Sequence, residues 1–203
     1  VNRLLPIIKK CIRSLEKNNS NLNFIISKSK NLNRSSFLRY ITENSYTKIE
    51  EVDDINETIE KCDIAVAASG TITLQLALSN TPMCVMYKLS PITYFIAKYL
   101  VSTKYISLVN ILAERLVVRE FVQHDANEEN IVAEIKKLLY NKDYNFKIKE
   151  DLSKVRGKLE DNKSREDIIE IIYEMVAAED WTTPLLLSSI KVSRLETSLY
   201  SLL

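Results

Sequence analysis

Residues 63–87 constrain the fold of this chain more than any other part of the sequence. Residues 63–68 form a short apolar run without polar alternation, which is typical of a strand buried on both faces of a parallel sheet. Ser69-Gly70-Thr71 interrupts the run, helical spacing follows over 72–79, and 83–87 predicts a second buried strand. A strand, a tight turn, a helix and a strand form a parallel crossover unit, and its repetition builds a doubly wound α/β sheet.

The segments on either side repeat this pattern with weaker signals. Residues 24–26 and 48–52 predict strands, and further helices are expected over 2–15, 35–42, 54–61, 90–101, 127–139, 146–159 and 164–176. The second half should therefore close in helices, without further strands. The predicted fold class is α/β: a Rossmann-like parallel sheet with flanking helices and a helical carboxyl-terminal part.

Composition excludes several classes of protein. The chain has 203 residues, 46% hydrophobic, and a net charge of +1, so it can bury a core and gives no signal for nucleic acid as a partner. Three cysteines without CxxC spacing argue against a zinc site and suit small core residues. No apolar run reaches the roughly 18 residues of a membrane span, and no signal peptide opens the chain, so we expect a cytoplasmic protein.

Gly70 is one of only two glycines, and it falls where a predicted strand ends and the next helix begins. At that edge of a parallel sheet, backbone amides and the positive end of a helix point into the same space. Ser69 or Thr71 is placed to cap the helix, and a glycine lets a phosphate oxygen approach the backbone. Two interpretations stay open: a nucleotide-diphosphate site, or a capped helix after a tight turn.

Several motifs in fixed order carry a specific resemblance. They are SGTITLQ at 69–75, TPM at 81–83 with YK at 87–88, SPITYFIAK at 90–98 and SLVNILAERLVVREFVQ at 107–123. These strings resemble the SGTATLE, TPM with YK, SPLTYxxAK and SLPNxLAGREVVPExxQ motifs of lipid-A-disaccharide synthases, membrane-associated glycosyltransferases of Gram-negative bacteria. The resemblance extends from Val1 to about Glu174.

The resemblance implies a glycosyltransferase-B fold, in which two Rossmann-like domains face a cleft and the second binds the donor. This chain resembles that second domain: 1–140 would form an incomplete UDP-sugar-binding domain, 141–178 its closing helices, and 179–203 a tail without an assigned role. The implied reaction moves 2,3-diacylglucosamine from its UDP carrier to the 6-hydroxyl of 2,3-diacylglucosamine 1-phosphate, with inversion and release of UDP. No metal or other cofactor is implied.

Carried onto this sequence, the motifs imply these donor-binding residues: Ser69, Gly70, Thr71, Gln75, Asn110, Arg115 and Gln123. The first three would hold the diphosphate, and Gln75 stands where the family has a glutamate for the ribose hydroxyls. Asn110 and Arg115 would face the cleft from a loop, although Arg115 also fits a solvated surface charge. For Gln123, donor contact and structural capping both stay open. The resemblance places the catalytic general base in an amino-terminal domain outside this chain.

Departures from the motifs bear on donor affinity and on folding. Glu114 replaces a glycine whose backbone is expected to need positive φ, at a cost of about 1 kcal/mol or more for a glutamate. Val109 and Arg119 replace prolines, and Leu116 replaces a glutamate. The family's first donor-domain strand has no counterpart here, which would leave unpaired backbone on two central strands. We therefore expect a marginally folded chain that is silent alone, with a separate amino-terminal half or a homodimer partner.

Three functional hypotheses follow. The first is the donor-binding part of a lipid-A-disaccharide synthase. The second is a non-catalytic remnant or assembly subunit, which Gln75 and Glu114 favour. The third is another UDP-sugar enzyme of the same fold, which SPITYFIAK and SLVNILAER disfavour. Aromatics interleaved with lysines over 87–105 suit either peripheral contact with the inner face of the inner membrane or a helix with a packed aromatic side and solvated lysines.

Overall fold

The computed structural model describes residues 3–18, 22–28, 47–51, 55–68, 70–88, 104–160 and 190–194. Helices in these ranges are α1 (Leu5–Asn18), α2 (Ile55–Glu60), α3 (Ile72–Leu78), α4 (Leu108–Ala113), α5 (Glu128–Tyr140) and α6 (Lys142–Glu160). Strands are β1 (Leu22–Lys28), β2 (Thr47–Glu51), β3 (Ile64–Ala68), β4 (Met83–Tyr87), β5 (Arg119–Val122) and β6 (Ile190–Arg194). The helices predicted over 35–42, 90–101 and 164–176 lie outside the described residues.

The strands form one sheet in the order β2-β1-β6-β3-β4-β5. β1 pairs with β2, β3 with β4, and β4 with β5, and all three pairs are parallel. Every residue of β3 and β4 is buried, as expected for parallel strands covered on both faces. The predicted α/β class with a Rossmann-like sheet and flanking helices is confirmed.

β6 lies at the centre of the sheet and is antiparallel to both of its neighbours. It pairs with β1 from Leu22 opposite Arg194 to Ile26 opposite Ile190, and with β3 over three residues that end with Val66 opposite Ile190. The expectation of unpaired backbone on two central strands is therefore wrong over these residues. The tail of 179–203 contributes this strand, because its β-branched Ile and Val alternate with polar residues at the period of a strand.

β5 also contradicts the expectation of a second half without strands. It begins with Arg119, which is exposed, and only Phe121 among its four residues is buried. A short strand at the edge of a sheet needs little apolar patterning, because one of its edges and part of its surface face water. Because Arg119 and Glu120 are charged, the spacing of apolar residues did not predict this strand.

The helices cover the sheet with apolar faces of helical period. In α1, the residues Leu5, Ile8, Ile12 and Leu15 are buried, and the helix packs against α5 and β1. α6 packs against α3, α4 and α5. The division of the chain at 140 and 178 stays a prediction.

The sequence predicted three core cysteines, and the structure confirms two of them, whereas Cys62 is only partly buried. Cys11 on α1 and Cys84 on β4 are both buried. Burial raises the pKa of the Cys11 thiol to about 12, and burial likewise raises the pKa of Cys84. Both side chains are therefore thiols at neutral pH, and both lack the thiolate character that reactive cysteines need.

Candidate functional site

The corner between β3 and α3 requires a glycine for its backbone and leaves open space beside it. Gly70 has φ +110, a region that residues with a side chain rarely adopt. A Cβ built at Gly70 would meet no atom of the described residues within 4 Å, so among these residues the requirement comes from conformation and not from crowding. Ser69, the first residue of the predicted diphosphate site, lies outside the described residues.

The residues after Gly70 fix this corner differently from the prediction. Thr71 occupies the N-cap position of α3, but its side chain makes no capping hydrogen bond. Of the two predicted capping residues, Thr71 therefore does not cap the helix, and the alternative, Ser69, is outside the described residues. The Thr73 hydroxyl instead donates to the Gly70 carbonyl (2.8 Å), and Thr73 is fully buried. The buried Thr73 therefore stabilises the turn from the protein interior, whereas Thr71 is exposed to solvent.

Gln75 lies one helical turn beyond Thr71, on the same helix and half-buried. Among the described residues, its side-chain amide makes no hydrogen bond, in contrast to that of Asn110. The backbone N–H groups of Thr73 and Leu74 bond to the carbonyls of Gly70 and Thr71. In the geometry of a helix, the amides ahead of them point beyond its start. This corner therefore presents amides, a hydroxyl and one side-chain amide.

Asn110 on α4 is wholly buried, so the prediction that its side chain faces an open cleft is wrong. Its Oδ1 accepts hydrogen bonds from the N–H groups of Val117 (2.8 Å) and Val118 (2.9 Å). Its Nδ2 donates to the Val118 carbonyl (2.7 Å) and to Glu120 Oε1 (2.8 Å). Both the oxygen and the nitrogen of the Asn110 side chain are therefore hydrogen-bonded, and these bonds fix the loop between α4 and β5 from the protein interior.

Glu120 completes this network, and the sequence analysis missed it. Its carboxylate accepts hydrogen bonds from the N–H groups of Ile106 (3.0 Å) and Ser107 (2.7 Å), in addition to the Asn110 amide. Ser107 in turn caps α4, since its hydroxyl accepts from the Asn110 N–H (3.3 Å). A signal was present in the sequence, because Glu120 stands at the glutamate of the PExxQ string.

Arg115 projects from the same loop and binds α6. Its guanidinium makes a two-pronged ion pair with Asp151, with Nη1 to Oδ2 at 2.9 Å and Nη2 to Oδ1 at 2.7 Å. The Arg115 side chain is 47% exposed, whereas that of Asp151 is 12% exposed. Arg115 is thus neither a purely solvated charge nor a side chain without a partner: it ties the loop to α6 and keeps an exposed edge.

The Arg115 guanidinium lowers the pKa of the Asp151 carboxyl, chiefly by hydrogen bonding to it. A folded-state pKa below the ordinary value of 3.8 means that the pair stabilises the fold above that pH. The contribution is lost as pH falls through the lower folded pKa. We expect Asp151→Asn to cost about 1–2 kcal/mol at neutral pH and to converge with the unmodified chain only when the pH falls below the lowered pKa of Asp151 in the fold, measured by urea unfolding.

The exposed ion pair of Glu150 with Lys154 on the same helix (2.9 Å) provides a matched control. Glu150→Gln removes a carboxylate of similar position but leaves both partners in water, so it should change the unfolding midpoint little at any pH. Equal effects of the two substitutions would contradict a special role for the Arg115–Asp151 pair.

Gln123 follows β5 with φ 51, in the left-handed region. Its N–H donates to the Tyr87 carbonyl at the end of β4 (2.9 Å), so its backbone closes the sheet edge between these two strands. This contact accounts for the structural interpretation of Gln123; donor contact by its side chain stays a prediction.

The two parts of the candidate site belong to neighbouring helices. α3, which begins after Gly70, packs against α4, which carries Asn110, and both pack against α6, which carries Asp151. Gly70, Thr71 and Gln75 thus stand on one helix of this group, and Arg115 follows the next one.

Comparison with known proteins identifies the family. Residues 1–172 match the family described as lipid-A-disaccharide synthetase. The chain belongs to the lipid-A-disaccharide synthetase family. Its relatives named lipid-A-disaccharide synthase include those of Trichlorobacter lovleyi and Syntrophus aciditrophicus, each 36% identical over 78% of this chain and 42% of the relative. The relative from Geobacter sulfurreducens is 29% identical over 88% of this chain and 47% of its own length. The chain thus spans less than half the length of these curated relatives.

Within this family the departure at Glu114 has a structural cost. Glu114 has φ 54 and ends α4 with its N–H bonded to the Ile111 carbonyl, which confirms the positive φ that the glycine of the family motif predicts. We expect Glu114→Gly to stabilise the chain by about 1 kcal/mol, because glycine adopts this backbone without steric cost.

Thermal unfolding measures this gain, and Glu114→Ala is the matched control. Alanine removes the same exposed charge but keeps the strained backbone, so it should bring no comparable gain. A rise in melting temperature that is equal for alanine and glycine would show that charge, not backbone conformation, limits stability here.

A hollow lies between α1 and α5 and includes Lys88, which follows β4. It has a volume of about 760 Å³ and includes Lys10, Lys88 and Lys136 in its lining, together with Glu128 and Glu129. Because both lysines and glutamates line it, the hollow has mixed charge and does not favour an anion.

Across the ranges that the structure describes, no group of His, Cys, Asp and Glu side chains is arranged to hold a metal ion. In the same ranges, no helix is both long enough and apolar enough to cross a bilayer.

Proposed function

We propose that this chain forms the donor-binding part of a lipid-A-disaccharide synthase. The proposed reaction transfers 2,3-diacylglucosamine from its UDP carrier to the 6-hydroxyl of 2,3-diacylglucosamine 1-phosphate, with inversion and release of UDP. The observation that carries the proposal is the Gly70 corner: a glycine in a left-handed backbone, open space beside it, and the start of a helix at the carboxyl edge of a parallel sheet.

The diphosphate of the donor would sit against this corner. The amides of Gly70 and Thr71 and the exposed Thr71 hydroxyl would donate hydrogen bonds to it, and the positive end of α3 would favour its charge. The backbone of this turn would be fixed before the donor arrives, because the Thr73 hydroxyl bonds to the Gly70 carbonyl, and fixed dipoles stabilise developing charge most effectively. We propose that no metal takes part.

The remaining predicted residues divide into contact and positioning roles. Gln75 would hydrogen-bond the ribose hydroxyls, and the exposed edge of Arg115 would reach the phosphates while Asp151 holds its other side. Asn110 would act through the loop that carries Arg115, since it binds the backbone of Val117 and Val118. Glu120 would hold Asn110 in place. Gln123 would close the site at the ends of β4 and β5.

The acceptor surface and the general base would come from the rest of the enzyme. A separate amino-terminal half or a homodimer partner would bring both to the donor. Because both substrates carry acyl chains, the assembled enzyme would work in the cytoplasm, in peripheral contact with the inner face of the inner membrane.

Calorimetric titration with UDP tests the proposal. We expect one saturable site on the 203-residue chain. Gln75→Glu should raise the affinity about fivefold, since a carboxylate accepts hydrogen bonds from both ribose hydroxyls more strongly than an amide oxygen. Ser79→Glu, on an exposed residue that follows α3, adds the same charge away from the ribose and should leave the affinity unchanged. A folded chain that gives no saturable heat would contradict the proposal.

A non-catalytic remnant is the second candidate function. The strained glutamate at 114 and the neutral Gln75 favour it, because both changes weaken a site of this design. If the unmodified chain and Gln75→Glu both fail to bind UDP while folded, the remnant is the better account.

A further inference from the structure

The outer face of α6 carries an exposed aromatic side chain. Phe146 is 70% exposed, and the helical period places it opposite the face that buries Ile148, Leu152 and Val155. Single exposed apolar residues are common on protein surfaces. Phe146 alone therefore identifies no partner, and the rest of the face has to be considered with it.

Gly157 is a second feature of this outer face. It follows Phe146 by eleven residues, which is three helical turns to within about 20°, and both residues are exposed. A glycine inside a helix costs about 1 kcal/mol relative to alanine. A Cβ built at Gly157 would meet no atom of the described residues within 4 Å. Packing among these residues therefore does not require a glycine at this position.

Phe146 and Gly157 match each other when two copies of α6 pair in antiparallel directions. A two-fold axis between the helices brings residues at equal distances from its centre side by side, so Phe146 of each copy lies level with Gly157 of the other. The missing side chain at Gly157 lets the aromatic ring approach the backbone of the helix. Ser153, which is small and exposed, borders the same space. Each copy thus offers one ring and one gap.

The charges beside these residues are complementary in the same register. By the two-fold symmetry, each flank of the helix meets the same flank of the second copy. Glu150 then lies level, to within one residue, with Lys154 of the second copy. Lys142 lies level in the same way with Glu160 of the second copy on the other flank. Both pairs are of opposite sign and occur twice, which favours this pairing over a random one.

The size of the face indicates a reversible contact. α6 has 19 residues and is about 28 Å long, so one pair of these helices lies at the low end of interface sizes. Like charges also approach each other at Lys149 and Arg156, although Arg156 already pairs with Glu160 on its own helix (2.8 Å). We therefore expect an equilibrium between monomer and dimer.

We propose that the outer face of α6 binds a second copy of this chain. The two helices pair in antiparallel directions around a two-fold axis, with Phe146 of each copy against Gly157 of the other and Glu150 of each copy beside Lys154 of the other. This inference concerns α6 alone and does not rest on the donor site.

Sedimentation equilibrium of the 203-residue chain, measured up to about 0.5 mM, tests the contact. We expect a reversible monomer–dimer equilibrium. Phe146→Ser removes the ring and Gly157→Leu fills the space that it occupies, so each should raise the dissociation constant at least about tenfold. Leu116→Ser is the matched control, because it removes an exposed apolar side chain (58% exposed) outside α6, and it should leave the constant unchanged.

The melting temperature separates lost association from lost folding. Gly157→Leu should raise the melting temperature of the monomer, because leucine has a higher helix propensity than glycine. A chain that stays monomeric up to about 0.5 mM would overturn the proposal. So would a dimer that is unaffected by Phe146→Ser and Gly157→Leu, or one that Leu116→Ser weakens equally.

Disulfide formation between copies tests the antiparallel register. One chain carries Phe146→Cys and a second chain Gly157→Cys, each with Cys62→Ser to remove the partly exposed thiol, while Cys11 and Cys84 are buried. The mixture should give at least about tenfold more covalent dimer than either chain alone, since only the mixed pair brings the two thiols level. Equal yields from the mixture and from either single chain would overturn the proposed pairing.

Discussion

Replacing Asn110 with alanine will lower the free energy of unfolding by about 3–5 kcal/mol. The substitution leaves the N–H groups of Val117 and Val118 and the Val118 carbonyl without the partner that they have in the fold. Each buried group that loses its partner costs about 1–3 kcal/mol, and the whole stability of a domain is about 5–15 kcal/mol. Urea unfolding followed by circular dichroism measures the loss.

Two further variants separate the hydrogen bonds from the loss of volume. Asn110→Asp keeps the shape but loses both donors and sets a carboxylate against Glu120, so it should be nearly as harmful as alanine. Asn130→Ala removes a donor to the exposed Asp125 carbonyl (3.0 Å) and should cost about 1 kcal/mol or less. If Asn110→Asp is harmless, side-chain volume and not the network explains the burial of Asn110.

A proline at Val192 will destabilise the chain by about 3 kcal/mol or more. Val192 lies opposite Phe24 on one side and Ile64 on the other, and a proline there cannot donate to either strand. Central strands exclude proline for this reason. The effect should appear as a large drop in the urea midpoint, together with faster exchange of the amides in β1.

Arg119→Pro is the matched control for this experiment. Arg119 is the first residue of β5, which is an edge strand, and the family motif has a proline at that position. Proline is tolerated at the start of an edge strand, so the cost should stay below about 1 kcal/mol. Similar losses for Val192→Pro and Arg119→Pro would mean that β6 contributes no more than an edge strand to the sheet.

Particular residues show which parts of the fold the sequence predicts and which it does not. The apolar runs of β3 and β4 and the helical period of α1 were sufficient to predict parallel strands and a covering helix, because burial acts on the pattern itself. The positive φ at Glu114 was predictable because the resembling motif has a glycine at this position, and glycine is favoured where φ is positive. β5 was not predicted, since an edge position relaxes the need for an apolar pattern. β6 was not predicted, since its alternating pattern covers only five residues.

The candidate site was predicted less completely than the fold. Gly70 stands where the crossover unit predicts it, but the partners of Asn110 and Arg115 are set by loop packing. Asn110 bonds to groups seven to ten residues away, and Arg115 bonds to a carboxylate 36 residues away. No local pattern distinguishes an asparagine that points inward from one that faces a ligand. Thr73 was missed for a different reason: its partner Gly70 is only three residues away, but the sequence analysis assigned the polar contact at this turn to Ser69 or Thr71.

The most direct test of the donor-site proposal is a UDP titration followed in the ¹⁵N–¹H spectrum of the isotope-labelled chain. We expect the largest saturable shifts at the amides of Gly70, Thr71 and Ile72, with smaller shifts at the Gln75 side chain and along the loop of Arg115. Shifts confined to Lys88 and Lys136 in the hollow between α1 and α5, or no shifts in a folded chain, would contradict the proposal that this corner holds the diphosphate.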